Sequence, residues 1–249
     1  MSHVDALLAF LRRGRRILVV TGAGVSTGSG IPDFRGPQGI WKRRQPVYFD
    51  EFVASEDKRA EYWDYKVEGW DQFRDARPNA THLALVTLER LGVLHALVTQ
   101  NIDGLHAAAG SSDAVLIEVH GTNRRVECLA CRTLSDPAPW VERFRATRTA
   151  PRCDCGGLVK FATVSFGQAL DPAVLARASE AAANADLVLA LGSTLSVHPA
   201  ASIPLLAVER GVPYAVVNQG ATDHDDVAIL KIDADVAEVL PAAVAGLVT

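Results

Sequence analysis

The residues that could do chemistry fall into four groups. His120 stands before Gly121, which opens space around an imidazole whose ordinary pKa suits a general base. A lone histidine is more often structural, so the type alone leaves both readings open. Gly22-Ala23-Gly24 follows the aliphatic run Ile17–Val20, and glycines at such a place let backbone N–H groups approach a phosphate. An ordinary tight turn is the competing reading, because Thr27 stands where a third glycine would complete the usual fingerprint. Asn101 and Asp103 can hold a ligand amide, or simply cap the helix that follows. Finally, Cys128-x-x-Cys131 and Cys153-x-Cys155, with 21 residues between the pairs, suit a closed tetrahedral zinc site. The alternative is four reduced, packed thiols. Four protein ligands leave no open position on the metal, so a zinc ion here is structural.

These groups need a scaffold that brings them together. Aliphatic runs at Ile17–Val20, Val93–Thr99, Ala114–Val119, Asp186–Leu191, Tyr214–Val217 and Ala228–Ile232 read as buried strands. Between them, helical spacing marks residues 4–13, Pro78–Leu91, Asp171–Ala183, Pro199–Arg210 and Asp235–Ala245. Asp50–Phe73, with its aromatics among charges, reads as two short helices. Strands alternating with helices predict an α/β fold: an open parallel sheet of the Rossmann type with right-handed crossovers. Ligands bind beyond the carboxyl ends of such strands. Here those ends carry Gly-Ala-Gly, Gln-Asn-Ile-Asp, His-Gly, Gly-Ser-Thr and Asn-Gln-Gly, so the special residues collect on one edge. Residues 122–160 break the alternation and hold all four cysteines. The expected division is therefore 1–121 with 161–249 as the sheet domain, a helical insert at about 42–75, and 122–160 as an inserted zinc-binding module.

Composition narrows the class of function. In 249 residues, 49% are apolar and 22% charged, with a formal net charge of −4. That balance argues against a nucleic-acid sheath; Arg12, Arg13, Arg15 and Arg16 read as a solvated helix end. No apolar run approaches the ~18–20 residues needed to span a membrane. The run Ala6–Leu11 has its basic residues after it, the wrong order for a secretory signal. Clustered thiols point to a reducing compartment, so a cytoplasmic enzyme without membrane or direct nucleic-acid partners is expected.

Taken together, Gly22-Ala23-Gly24-Val25-Ser26, Gly30-Ile31-Pro32-Asp33-Phe34-Arg35-Gly36, Thr99-Gln100-Asn101-Ile102-Asp103-Gly104-Leu105-His106 and His120-Gly121 resemble the sirtuin family, bacterial type. So do the paired cysteines, Val164-x-Phe166-Gly167, Gly192-Ser193-Thr194-Leu195 and Asn218. The match runs in order from about residue 15 to 240. The resemblance implies an NAD-dependent protein-lysine deacylase in which the acyl oxygen attacks the ribose C1′. Nicotinamide leaves, an alkylimidate forms, and O-acyl-ADP-ribose and free lysine are released. By similarity His120 is the general base, with Asn101 and Asp103 assisting. By the same similarity Asn101, Ile102 and Asp103 are expected to form the nicotinamide pocket, and Gln100 to bind its ribose. Ala23, Arg35 and Ser193 hold phosphates, while Asn218 and Val236 lie along the adenosine. Gly22, Gly24, Ser26, Pro32, Asp33, Phe34, Trp41, Gly192, Thr194 and Gly220 complete the cofactor surface. Phe34, Val164, Phe166, Gly167 and Val197 line the acyl-lysine tunnel, so the expected partners are acyl-lysine proteins or peptides. The cofactors the resemblance implies are NAD and one structural Zn²⁺ per chain.

The sequence departs from the family pattern at Gly192-Ser193-Thr194, at Ser165 and Gln168, at Phe161-Ala162, and in the tight second cysteine pair. These alter the rim of the peptide cleft. Family members that prefer succinyl or malonyl lysine carry a Tyr-x-x-Arg pair. This chain offers Trp63-Asp64-Tyr65-Lys66, with Trp63 expected to replace the phenol and Asp64 to partly neutralise Lys66. Neutral acyl groups are accordingly expected to be preferred. Mono-ADP-ribosyl transfer and a non-catalytic NAD-sensing module are the competing functions, and product analysis separates them.

Overall fold

The computed structural model describes residues 1–33 and 45–248. Among them two sheets form. The larger runs in the order β3 (Leu116–Glu118), β2 (Leu94–Thr99), β1 (Ile17–Thr21), β7 (Leu187–Leu191), β8 (Tyr214–Val217), β9 (Leu230–Ile232), and every neighbouring pair is parallel. β1, β7 and β8 are buried at every position. That is why they read as unbroken aliphatic runs rather than alternating ones. On one face α1 (His3–Leu11), α5 (Ala80–Arg90) and α10 (Val236–Val248) pack Leu7, Leu85 and Leu240 against Ile17, Val19 and Leu189. On the other, α8 (Pro172–Ala183) and α9 (Ile203–Val208) bring Ala178, Ala182 and Ala207 against Leu18, Val20 and Val188. Small alanines on this face let the helices lie close to the sheet.

The strand order reverses between β1 and β7, and chain approach is tightest there. A Cβ on Gly24 would sit 2.7 Å from the Gly192 Cα, and Gly192 itself has φ +59°. Gly24 N–H donates to the Gly192 carbonyl at 2.8 Å. Glycine is needed at both positions for the two strand ends to meet.

The smaller sheet is antiparallel, ordered β5 (Leu134–Ser135), β4 (Gly121–Cys128), β6 (Val159–Thr163). Its core is shared with helices from a distant part of the chain. Val126, Val159 and Phe161 pack with Phe144 of α7 (Ala138–Thr147) and with Phe52, Tyr62, Trp63 and Trp70. Those last four come from three helices, α2 (Phe49–Ala54), α3 (Glu56–Glu68) and α4 (Trp70–Asp75), where the sequence pattern predicted two. The extra break falls at Ser55, which is extended (φ −121°, ψ 133°) and whose hydroxyl accepts from Lys58 N–H. One residue thus ends α2 and caps α3. The two insertions, seen separately in sequence, form one small lobe.

Candidate active site and metal centre

Between the lobes lies a cavity of about 1230 Å³, lined by the carboxyl edge of the large sheet and one side of the small lobe. Its volume exceeds the ~300–1,000 Å³ of ordinary small-molecule pockets. Gly22, Ala23, Gly24, Pro32 and Asp33 line it after β1; Gln100, Asn101 and Ile102 after β2; His120 after β3. Gly192, Ser193 and Thr194 follow β7, Asn218 follows β8, and Val236 opens α10. Val164, Phe166, Gly167 and Val197 complete the wall. Five strand ends therefore converge on one space. Phe34, Arg35, Gly36 and Trp41 lie outside the described residues.

Ser26 and Gly220 do not line this cavity, and Asp103 lines a smaller recess beside it. Ser26 is fully buried and Asp103 nearly so. Ser26 Oγ donates to Asp103 Oδ2 at 2.7 Å, and Asn101 Nδ2 donates to Ser26 Oγ (3.2 Å) and the Gly22 carbonyl (3.0 Å). Asp103 reaches a minor recess it shares with Ala23, Asn101 and Ile102. Its Oδ1 also accepts from Leu105 N–H at 2.8 Å, at the start of α6 (Leu105–Ala109). Capping and support of the pocket are thus done by one carboxylate. Gly220 (φ +84°) is exposed and outside the wall, its N–H donating to Asp233 Oδ1.

His120 is held in one useful tautomer. Its Nδ1 lies 3.0 Å from the Gln100 carbonyl, which only accepts, so Nδ1 carries the proton and Nε2 keeps its lone pair. Burial pushes the ring's pKa below its ordinary value, partly opposed by the Gln100 carbonyl. The ring is therefore neutral at pH 7, as a base must be. The strand itself is anchored: Val164 N–H donates to the His120 carbonyl at 2.8 Å. A Cβ on Gly121 (φ +70°) would lie 2.1 Å from the Ala162 carbonyl oxygen. Only glycine permits this crossing from the large sheet into β4.

Beneath the strand ends runs a buried hydrogen-bond chain. Thr21 Oγ1 donates to Thr99 Oγ1 (2.8 Å), and Asn101 N–H donates to Thr99 Oγ1 (3.1 Å). His106 Nε2 is 3.0 Å from Thr21 Oγ1, and burial drives its pKa down to about 3. Glu118, on the same edge, is pushed up to about 7 by burial and by the Asp103 and Asp113 carboxylates. Nothing in the sequence pattern marked Thr21 and Thr99 as a pair; the parallel register Thr21↔Thr99 creates it.

On the small-lobe side the cavity is lined by Tyr62, Tyr65, Lys66, Asn123, Phe161 and Thr163. This corrects the expectation for Trp63. Trp63 is fully buried in the small-lobe core, donating from Nε1 to the Val159 carbonyl at 3.0 Å. Asp64 is bonded to Arg148 at 2.6 Å rather than neutralising Lys66. Lys66 instead donates to Asn123 Oδ1 at 2.8 Å. Asn123 and Lys160 were missed in the sequence, which offers no motif around either. Lys160 is 1% exposed and bonds the Phe161 and Thr163 carbonyls and Gln168 Oε1.

The four cysteine sulfurs lie within 4.8 Å of one another, with Cys128 and Cys155 at 3.5 Å and Cys131 and Cys153 at 3.8 Å. A tetrahedron with Zn–S bonds of about 2.3 Å has edges of about 3.8 Å, so the set is arranged to hold one metal ion. Gly157 leaves room for it, since a Cβ there would touch Cys128 Sγ at 2.6 Å. None of the four lines the cavity.

A Rossmann-like parallel sheet, a separate small sheet carrying a tetrathiolate site, and a cavity at the strand reversal define the class. The Sir2 family model matches residues 22–199, and the chain belongs to that family. It is 42% identical over 241 residues to the NAD-dependent protein deacetylase of Rhodopseudomonas palustris, covering 96% of this chain and 95% of the relative. It is 41% identical over 245 residues to that of Haloarcula marismortui, covering 97% and 93%. A solved structure of Sir2 with a p53 peptide and NAD⁺ superposes with a TM-score of 0.89 at 35% identity, covering all of both chains. A Sir2 variant with a deacetylated p53 peptide and 3′-O-acetyl-ADP-ribose gives 0.90 at 35% identity, covering 98% of each.

Proposed function

We propose that this chain is an NAD-dependent protein-lysine deacylase acting on acyl-lysine proteins or peptides, with His120 as general base. The observation that carries the reading is His120 itself: a neutral ring with Nε2 unprotonated, fixed through Nδ1 to the Gln100 carbonyl, at the wall of a cavity large enough for two ligands. NAD, when bound, supplies the ribose carbon that receives the acyl group and nicotinamide as the leaving group. The glycine crossing at Gly22, Gly24 and Gly192 fits the close approach of a pyrophosphate, since a Cβ on Gly22 would lie 2.7 Å from the Gly192 carbonyl oxygen. Ala23 and Ser193 flank that crossing as phosphate contacts, and Arg35 is the further phosphate contact in this reading. Asn101 and Ile102 orient the nicotinamide, and Asp103 with Ser26 supports them. Gln100 takes the ribose; Asn218 and Val236 take the adenosine. Val164, Phe166, Gly167 and Val197 exclude water from the acyl-lysine tunnel.

The four thiolates hold a structural Zn²⁺, and the small lobe of residues 122–160 with the 42–75 insert supplies the peptide wall. No helix among the described residues is long and apolar enough to cross a membrane. We place the enzyme in the cytoplasm, where thiolate ligands stay reduced. The test is product analysis on an acetyl-lysine peptide with NAD. Equal amounts of nicotinamide, free lysine peptide and O-acetyl-ADP-ribose are expected. ADP-ribose left on protein would make the chain a transferase, and NAD binding without nicotinamide release would make it a sensor.

A further inference from the structure

Among the described lysines, Lys66 alone lines the cavity and has no carboxylate partner. Lys58 pairs with Glu61 at 2.9 Å and Glu51 at 3.9 Å, and Lys231 pairs with Asp225 at 3.0 Å. Lys160 is enclosed among oxygen acceptors and absent from the cavity wall. Lys66 Nζ lies over the rings of Tyr62, Tyr65 and Phe161, at 5.6, 5.9 and 5.2 Å from their centroids. Its hydrogen-bond acceptor is a neutral amide oxygen, that of Asn123. Of the charged groups around it, Asp64 on its own helix is turned to Arg148, and Lys160 on β6 is a like charge. Glu68 of α3 and His120 also line the cavity. An amine taken out of water, beside a cation and without a counter-charge, is driven toward its free base. Burial, then Lys160, bring Lys66 down to about 7. A neutral amine in the wall of this open cavity is a nucleophile placed where an acyl donor can reach it.

We propose that Lys66 is a self-acylation site, taking an acyl group from an acyl thioester to give an amide that fills the acyl end of the cavity and blocks the substrate. The Nζ lone pair attacks the thioester carbonyl carbon, so the C–N bond forms as the C–S bond breaks. The thiolate leaves with the electron pair, and the proton released from nitrogen ends on the thiolate or in water. No oxidant or reductant is needed. The amide is uncharged, so the contacts of the ammonium with three rings are lost and the acyl chain projects into the cavity. The blocking step rests on the deacylase reading; formation of the adduct does not.

The test uses the full chain with acetyl-coenzyme A, without NAD, at pH 6, 7, 8 and 9, followed by peptide mass mapping. At pH 7 Lys66 is expected to acquire acetyl about tenfold or more faster than Lys58 and Lys231. Its rate should level off above about pH 8, whereas that of Lys58, whose pKa is raised above the ordinary value by Glu61 and Glu51, should keep rising about tenfold per unit. Equal labelling of the three lysines at pH 7, or a Lys66 rate still climbing tenfold per unit above pH 8, overturns the site. Deacylase activity is then measured relative to an untreated sample of the same protein. It should fall in step with Lys66 labelling in the natural chain and hold steady in Lys66→Arg. Full labelling of Lys66 with activity retained overturns the block while leaving the site. A chain without deacylase activity overturns the functional reading, and the mass map still decides the adduct.

Discussion

On the large-lobe side of the cavity, functional atoms are placed by where strands stop. Ala23, Asn101, His120, Ser193 and Asn218 each follow a buried strand, and their backbones are tied across the sheet edge, as in Gly22 N–H to the Leu191 carbonyl at 3.0 Å. On the small-lobe side, placement comes from side-chain packing. Tyr65 and Lys66 reach the cavity over a compact aromatic core of Tyr62, Trp63, Val67, Phe144 and Phe161. The first wall is rigid through backbone hydrogen bonds and a large sheet. The second is a small body, below the size at which apolar burial alone is ample, and it carries a metal site. Chemistry on the first wall should therefore be sensitive to single atoms, and chemistry on the second to the integrity of a lobe.

Metal removal is the largest way to break that contrast. Structural zinc contributes about 10–16 kcal/mol to the folding of zinc-finger peptides. Stripping the ion leaves four sulfurs within 4.8 Å of one another with no cation between them. Strong chelation, or Cys128→Ser, is expected to unfold the small lobe and abolish deacylation. The large sheet should keep its own melting transition. Calorimetry checks this: a metal-free protein with an unchanged single transition would mean that packing alone holds the lobe.

His120→Ala tests the other wall. Loss of a general base costs about 10²–10⁴ in rate. Binding of ADP-ribose, followed by titration calorimetry, should stay within about threefold, because the ring's protein contact is to one carbonyl. The pH profile has a defined sign. The neutral ring is the active form and burial lowers its pKa, so the acid limb of kcat should fall below the ordinary 6.5. A limb above 6.5 would assign it to another group.

How much of each wall could be read from sequence follows the same division. Strand ends were legible because a run buried on both faces is continuous in sequence and stops at glycine or a polar residue. Depth was not. Ser26 shares the motif of Ala23, yet is fully buried and lines neither the cavity nor the recess, since spacing does not say which way a loop residue turns. On α3, Tyr62, Trp63 and Tyr65 leave no polar stripe to fix the helix phase; of the expected pair Lys66 does line the cavity, with Tyr65 beside it, while Trp63 is turned into the core. The shared aromatic core of residues 52–70 and 126–161 depends on a tertiary contact that neither segment announces alone.

Asp103→Asn probes the buried support of the first wall. The carboxylate accepts from Ser26 Oγ and Leu105 N–H; an amide that keeps Leu105 turns an NH₂ donor toward Ser26. Ser26 Oγ already accepts from Asn101 Nδ2, so its own proton is left without an acceptor. An unpaired buried donor costs about 1–3 kcal/mol. The Asn101 side chain should lose its fixed direction, raising the nicotinamide inhibition constant about tenfold. Unchanged nicotinamide inhibition, measured beside an unchanged KM for NAD, would show that Asp103 serves only to hold the Leu105 N–H at the start of α6.

The smallest effect concerns acyl choice, where the second wall acts through one amine. With Trp63 in the core and Asp64 on Arg148, preference at this end of the cavity rests on Lys66 among Tyr62, Tyr65 and Phe161. A succinyl carboxylate entering here needs a cation to offset its desolvation. Lysine at about 7 is mostly neutral at pH 8 and mostly charged at pH 6. Even charged, it is a point donor rather than the planar fork that holds a carboxylate with two hydrogen bonds. Acetyl-lysine should therefore exceed succinyl-lysine in kcat/KM by about tenfold at pH 8, roughly 1.4 kcal/mol in the transition state. The ratio should narrow to a few-fold at pH 6 as Lys66 gains its proton. Protonation of His120 slows both substrates alike and cancels in the ratio, and the succinyl carboxylate stays ionised throughout. Lys66→Arg should hold the narrowed ratio at both pH values, because guanidinium does not titrate in this range. A ratio that is flat with pH in the natural chain, or one that favours succinyl at pH 8, would remove Lys66 from acyl selection.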